Sequence, residues 1–339
     1  MVNTRRVLLG VQICAVLAAV TAGVVRTSAQ QSPLVRALTE PWPEEVIVDG
    51  IEILPVRKAV YMLVGGGANV SVAIGDEGVV MVDTGAAGNA AKLQKAVRSL
   101  TRKPLRYVVN TAPDADKVGG NAEMVQWAGG TSGPNAGQGG GSPNVGTAVI
   151  AHEGAYNRMI AGGNGLEALT GDALPESTFF TPRKDFWAND EAVQVFFEPS
   201  AHTDGDVVVF FRGSDVVHAG EIYRTDRFPM IDLARGGSID GELAALTHLL
   251  ELAVPQRNQM GGTRVVPGYG RISNEADVLE YRDMVTIIRD RVHALVEKKA
   301  TLAQVKAAGV ALEYDQYGRN PNWTTDMFVE AVYNSLSKK

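Results

Sequence analysis

Short runs of β-branched residues broken by glycine alternate with longer amphipathic stretches along most of this 339-residue chain. Residues 46–48, 51–56, 59–64, 70–74 and 79–82 read as successive strands, with Gly65-Gly66-Gly67 and Asp76-Glu77-Gly78 as turns. β-Branched runs punctuated this way are hairpin signals, so the first half opens as an antiparallel sheet. Residues 90–100 carry helical spacing, 107–109 read as a buried strand, and the next helix is expected to start within 120–127. After 149–151 and a helix near 156–161, strands resume at 193–198, 207–211 and 216–218. Helical periodicity returns at 243–252 and 275–298, and a last helix is expected from about 324 to 336, with Thr324 or Thr325 suited to N-capping. No repeat at a solenoid period is present.

Residues 1–29 have the layout of an export signal: Arg5 and Arg6, an apolar stretch over 7–25, then the small residues Thr27-Ser28-Ala29 where a signal peptidase would cut. Thr4-Arg5-Arg6-Val7-Leu8-Leu9 resembles a twin-arginine signal, which implies export in a folded state. The alternative is an uncleaved anchor, against which Gln12 and the small-residue exit argue. The expected location is periplasmic or secreted, with no stable membrane span after cleavage. Residues 30–45, polar and proline-bearing, read as a linker. Cys14 is the only cysteine and lies in the leader, so the mature chain has no disulfide, thiolate ligand or thiol nucleophile. The glycine-rich segment 129–146 cannot bury enough apolar surface to offset its backbone entropy, and is expected to be a mobile surface loop, with disorder without function favoured over a lid.

A 45% hydrophobic composition supplies a large core, while a net charge of -6, from 32 basic and 38 acidic residues, leaves no electrostatic footprint for nucleic acid. The chemistry must come from local motifs. Five stand out in chain order: Val82-Asp83-Thr84-Gly85; Asn110-Thr111-Ala112-Pro113-Asp114-Ala115-Asp116-Lys117-Val118-Gly119-Gly120-Asn121; Ala201-His202-Thr203-Asp204-Gly205-Asp206; Ala219-Gly220-Glu221; and Val266-Pro267-Gly268-Tyr269-Gly270. Together they resemble the motif series of the metallo-β-lactamase superfamily. The second resembles that family's N-T-H-x-H-x-D-H-x-G-G-N loop, with Ala112, Asp114 and Lys117 at the histidine positions and Asp116 retained.

The resemblance implies an α/β fold, an αββα sandwich of two mixed β-sheets with outer helices and a cleft along one edge. The sandwich is expected over 46–285, with 286–339 as a helical extension packed on it. In that family two zinc ions hold a bridging water, whose pKa the metal lowers to about 7. Carried across residue by residue, the first zinc position keeps His202 and has Asp114, but Ala112 offers no donor atom. The second keeps Asp116, while Lys117 and Tyr269 replace imidazoles and Glu221 replaces the bridging aspartate. A protonated lysine donates and cannot ligate. The expected cofactor is therefore none or one divalent cation, not a two-zinc centre. Asp114, Asp116, His202 and Glu221 form a residual, mostly oxygen-donor set suited to magnesium, calcium or manganese.

Three carboxylates converging in one cleft resist ionisation beside one another, so Lys117 reads as a neutralising cation; the alternative is a base or imine-forming nucleophile. Any catalysis would fall to Asp116, Lys117 and Tyr269, and the ligand cleft would be lined by Asp83, Asp114, His202, Glu221 and Tyr269. His152 and His218, at strand ends, are expected to satisfy nearby backbone or carboxylate groups, and His248 and His293 to be surface or interhelical residues. The function so implied is a non-catalytic member that binds a small molecule or a protein partner. Its rival is a single-metal hydrolase of an ester, amide or phosphoester.

Overall fold

In the computed structural model the described residues are 46–130, 146–163, 165–257 and 261–337. The expected export signal with Cys14, the linker, and residues 131–145 of the glycine-rich segment lie outside them. Strands β1 (Val46–Val48), β2 (Ile51–Arg57), β3 (Val60–Val64), β4 (Val70–Ile74) and β5 (Val79–Val82) pair antiparallel in chain order. From β5 the pairing turns parallel, through β6 (Leu105–Val109), β7 (Ala148–His152) and β8 (Ser177–Phe179), giving one eight-stranded sheet. Parallel neighbours need crossovers, which α1 (Ala90–Leu100), then α2 (Ala115–Val118) with α3 (Asn121–Trp127), then α4 (Glu153–Ala161) supply. Every residue of β5 is buried because helices cover one face of this sheet and a second sheet the other.

The second sheet contains β9 (Arg183–Ala188), β10 (Glu191–Glu198), β11 (Asp206–Phe211), β12 (Val216–His218) and β13 (Arg264–Val266), antiparallel except for the parallel β12–β13 pair. Val82, Val109 and Ile150 from the first sheet meet Val195, Val209 and Phe211 from the second in one apolar layer. Against the outer face of the second sheet lie α5 (Ile239–Leu252), α6 (Glu275–Glu297) and α8 (Thr325–Ser337), with α7 (Leu302–Ala307) beside them. This is the expected αββα sandwich of two mixed sheets. Position 285 falls inside α6, where Val285 is buried among residues from both sides of it. No helix among the described residues is long and apolar enough to cross a membrane.

Pattern and outcome differ most at β8, β9 and α7. β9 is an edge strand whose exposed positions include Arg183, Asp185 and Trp187, so its apolar signal is diluted by charge. The short α7 starts at a Thr301–Gln304 capping box, which supplies local bonds where periodicity is too brief to see.

One buried group works against the fold. Glu242 on α5 is fully buried, and neither carboxyl oxygen has a hydrogen-bond partner among the described residues. Burial, reinforced by the nearby charge of Asp206, raises its pKa well above the usual carboxylate range. The folded state thus holds a proton that the unfolded chain releases above about 4.5, and stability declines as pH rises from there until the folded group ionises. Glu242→Met removes the unpaired group with little change in volume. It is expected to stabilise by about 1–3 kcal/mol, with a larger gain at pH 8 than at pH 5 in urea unfolding.

Candidate functional site

The motif loops meet because they leave strand ends on one edge of the sandwich. Asp83 follows β5 with φ 63°, a left-handed conformation that aspartate tolerates better than most side chains. Its carboxylate accepts the Thr111 backbone N–H at 2.7 Å and the Thr111 hydroxyl at 2.6 Å, tying the end of β5 to the loop after β6. Lys117 O accepts the Thr84 N–H at 2.7 Å, and Gly268 N–H donates to Tyr223 O at 3.0 Å. Gly268 passes so close to Gly220 O that a Cβ there would overlap it. Backbone bonds therefore fix the loops before side chains add anything.

Asp114 takes two cations. Its Oδ2 lies 3.0 Å from His202 Nε2, and its Oδ1 accepts from the Arg235 guanidinium at 2.6 Å. Burial would push the Asp114 pKa up, but His202 and Arg235 outweigh it and hold the carboxyl well below the usual range. His202 is fully buried, and its Nδ1 donates to Met230 O at 2.8 Å. Burial disfavours the imidazolium, yet Asp114 more than offsets it and the His202 pKa is raised. With Nδ1 donating to Met230 O and Nε2 facing the Asp114 carboxylate, both ring nitrogens are engaged within the chain. Arg235 also donates to Asp232 at 2.7 Å and to Pro113 O at 3.0 Å, so its planar fork is fully engaged.

The second centre lies deeper. Lys117 is fully buried, with Nζ 2.5 Å from Glu221 Oε1 and 4.0 Å from Asp83 Oδ2. Neither Lys117 Nζ nor the Glu221 oxygens complete a directed hydrogen bond among the described residues, so charge rather than alignment holds the pair. The buried Arg224 pairs with Glu221 Oε2. Burial raises the Asp83 carboxyl to about 6, although Lys117 pulls the other way. His218, 3.8 Å from Asp83, bonds to Ser71 at 2.7 Å, and burial lowers it to about 3, so it is neutral. Tyr269 presents its ring to three cations, with Arg227 at 4.4 Å, Arg224 at 5.1 Å and Lys117 at 5.5 Å from the centroid.

Above these pairs opens a cleft of about 350 Å³, whose lining includes Asp114, Asp116, Glu221, Arg224 and Tyr269. Asp83, Lys117 and His202 lie beneath it with no exposed surface. Asp116 lines the cleft, and its carboxylate has no hydrogen bond or ion pair among the described residues. Among those residues no three histidine, cysteine, aspartate or glutamate side chains are grouped to hold a metal ion. The other histidines serve locally: His152 accepts the Gly154 N–H at 3.1 Å and stacks on Phe197, and His248 pairs with Glu198 at 2.6 Å.

The sequence reading missed Arg224, Arg227 and Arg235. Their signal was indirect: Asp83, Asp114, Asp116 and Glu221 demand more positive charge than Lys117 supplies, and these arginines follow Glu221 within one loop.

A sequence profile described as the metallo-beta-lactamase superfamily matches residues 63–268. Among solved structures, the chain is similar to the inverting sec-alkylsulfatase Pisa1 from Pseudomonas sp., with a TM-score of 0.62 and 16% identity. That match covers 83% of this chain and 49% of the other, so the chain spans about half the length of the sulfatase. It is also similar to a metallo-beta-lactamase from Pontibacter korlensis, with a TM-score of 0.50, 18% identity and coverage of 70% and 99%. For the DIM-1 metallo-beta-lactamase the values are 0.52, 15%, 71% and 99%. At these identities the likeness is one of fold.

Removing one cation from a carboxylate that has two leaves its charge only partly compensated. Lys117→Met and Arg235→Met are each expected to destabilise by roughly 1–3 kcal/mol in denaturant unfolding. An effect within ~0.5 kcal/mol of zero for either would mean that the cation does not hold its carboxylate.

Proposed function

The chain belongs to the metallo-beta-lactamase superfamily, and from that premise we propose that it is an exported, non-catalytic, ligand-binding member whose cleft balances its charge with its own cations. The observation that carries this reading is the pairing of Asp114 with His202 and Arg235, beside that of Glu221 with Lys117 and Arg224. Zinc needs lone pairs directed at one point. On donor chemistry these residues do not fit two zinc ions: Ala112 has no donor atom, and an ammonium stands at Lys117. The Nε2 of His202 is committed to Asp114. What remains is a water-accessible cavity with fixed polar groups on a rigid frame, which suits recognition of a small molecule.

The rival single-metal hydrolase would use Asp114, Asp116, His202 and Glu221. Only the unpaired Asp116 favours it, because the other three must each release a cation or a proton to bind metal.

Elemental analysis of the full chain, purified without a metal-affinity tag and repeated after incubation with zinc, manganese, magnesium and calcium, tests the reading. Substoichiometric metal throughout is the expected result; a near-stoichiometric ion lost in His202→Ala would sink it. Combining Ala112→His, Asp114→His, Lys117→His and Tyr269→His with Arg235→Ala is expected to confer zinc binding, since it restores imidazoles and removes the competing guanidinium.

A further inference from the structure

Two cavities adjoin at the mouth of the site. One, of about 350 Å³, includes Asp116, Arg224 and Tyr269 in its lining, and the other, of about 470 Å³, includes Leu233, Met327 and Ala331. Met230, Asn322 and Trp323 line both, which makes them two chambers of one groove. The Trp323 indole N–H donates to Pro229 O at 3.1 Å and fixes the ring between them. Met327 and Ala331 belong to α8, beyond residue 268 where the family match ends, and Met230 to Leu233 lie within the match, so the second chamber forms between the matched region and the C-terminal segment.

The first chamber brings both signs of charge together. Arg224 and Arg227, whose guanidinium groups lie over the Tyr269 ring, line it with Asp116, whose carboxylate has no hydrogen bond or ion pair among the described residues. A simple anion placed there would sit beside Asp116, and a simple cation beside Arg224 and Arg227. A head group carrying both charges satisfies both, and a hydrocarbon tail suits the chamber across Trp323.

Resting on the ligand-binding reading, we propose that the groove binds a zwitterionic amphiphile, with its ammonium at Asp116, its carboxylate at the Arg224 and Arg227 guanidinium groups, and its tail along Leu233 and Met327. The chamber volumes fall within the span of small-molecule sites, roughly 300–1,000 Å³.

Titration calorimetry of the full chain with 2-aminodecanoate, decanoate, decylamine and alanine, each below its aggregation concentration, tests the assignment. 2-Aminodecanoate is expected to bind about tenfold or more tighter than decanoate or decylamine. Shortening its tail should weaken binding about fourfold for each methylene removed. Arg224→Met strips a buried ion pair, so the half-buried Asp116→Asn carries the mutational test: it should abolish the preference for 2-aminodecanoate over decanoate. Leu233→Asp should flatten the dependence on tail length. Decanoate binding as tightly as the amino acid, an unchanged preference in Asp116→Asn, or silence of all four probes would each overturn the amphiphile assignment. The non-catalytic, metal-free reading beneath it stands or falls separately, on the elemental analysis.

Discussion

The Asp114 carboxylate, held between the His202 imidazole at 3.0 Å and the Arg235 guanidinium at 2.6 Å, sets the terms for everything around it. A buried carboxylate with no counter-charge is neutralised by protonation or is not tolerated. Here the counter-charge comes from the chain itself, and once Arg235 is fixed by Asp232 and Pro113 O its whole loop is fixed as well. Lys117 does the same for Glu221 and Asp83 one layer deeper. Buried ion pairs of this kind add little net stability compared with apolar replacements, but losing one partner is costly, so the arrangement resists piecemeal change.

Those pairs can form only because the frame delivers their members to one edge. β5 and β6 are parallel neighbours, so Asp83 and the loop at 110–118 emerge side by side. β12 and β13 are likewise parallel, which sets Glu221 and Tyr269 next to each other on the opposite sheet. The apolar layer shared by the two sheets brings the edges into register, and close backbone approach at Gly268 lets the loops touch. Packing, hydrogen bonding and charge thus act in sequence: the core places the strand ends, backbone bonds orient the loops, and ion pairs lock the side chains.

The same order explains how the cleft acquires its outer wall. α6 and α8 bury their apolar faces on the second sheet and on α5, and this docking carries Asn322, Trp323 and Met327 to the rim. The C-terminal segment is therefore part of the site as well as of the core. Asp116, Arg224 and Trp323 thus line one cleft.

Much of this could be read from the chain alone. The β-branched runs and glycine turns announce β2 through β5, and apolar spacing announces α1 and α6, because burial demands a period and the period is written in the residues. The order of the motifs identifies the sandwich and singles out Asp83, Asp114, Asp116, Lys117, His202, Glu221 and Tyr269. That positions 112, 114, 117 and 269 hold alanine, aspartate, lysine and tyrosine is likewise a fact of sequence. Arg224 and Arg235 carry no motif, however, and nothing in their spacing says which carboxylate each will meet. The rim residues at 320–323 lie about two hundred positions from the loop they face. Local pattern reports what a segment needs to bury, whereas charge pairing depends on which distant segments share a desolvated volume, and that was decided only when the two sheets packed.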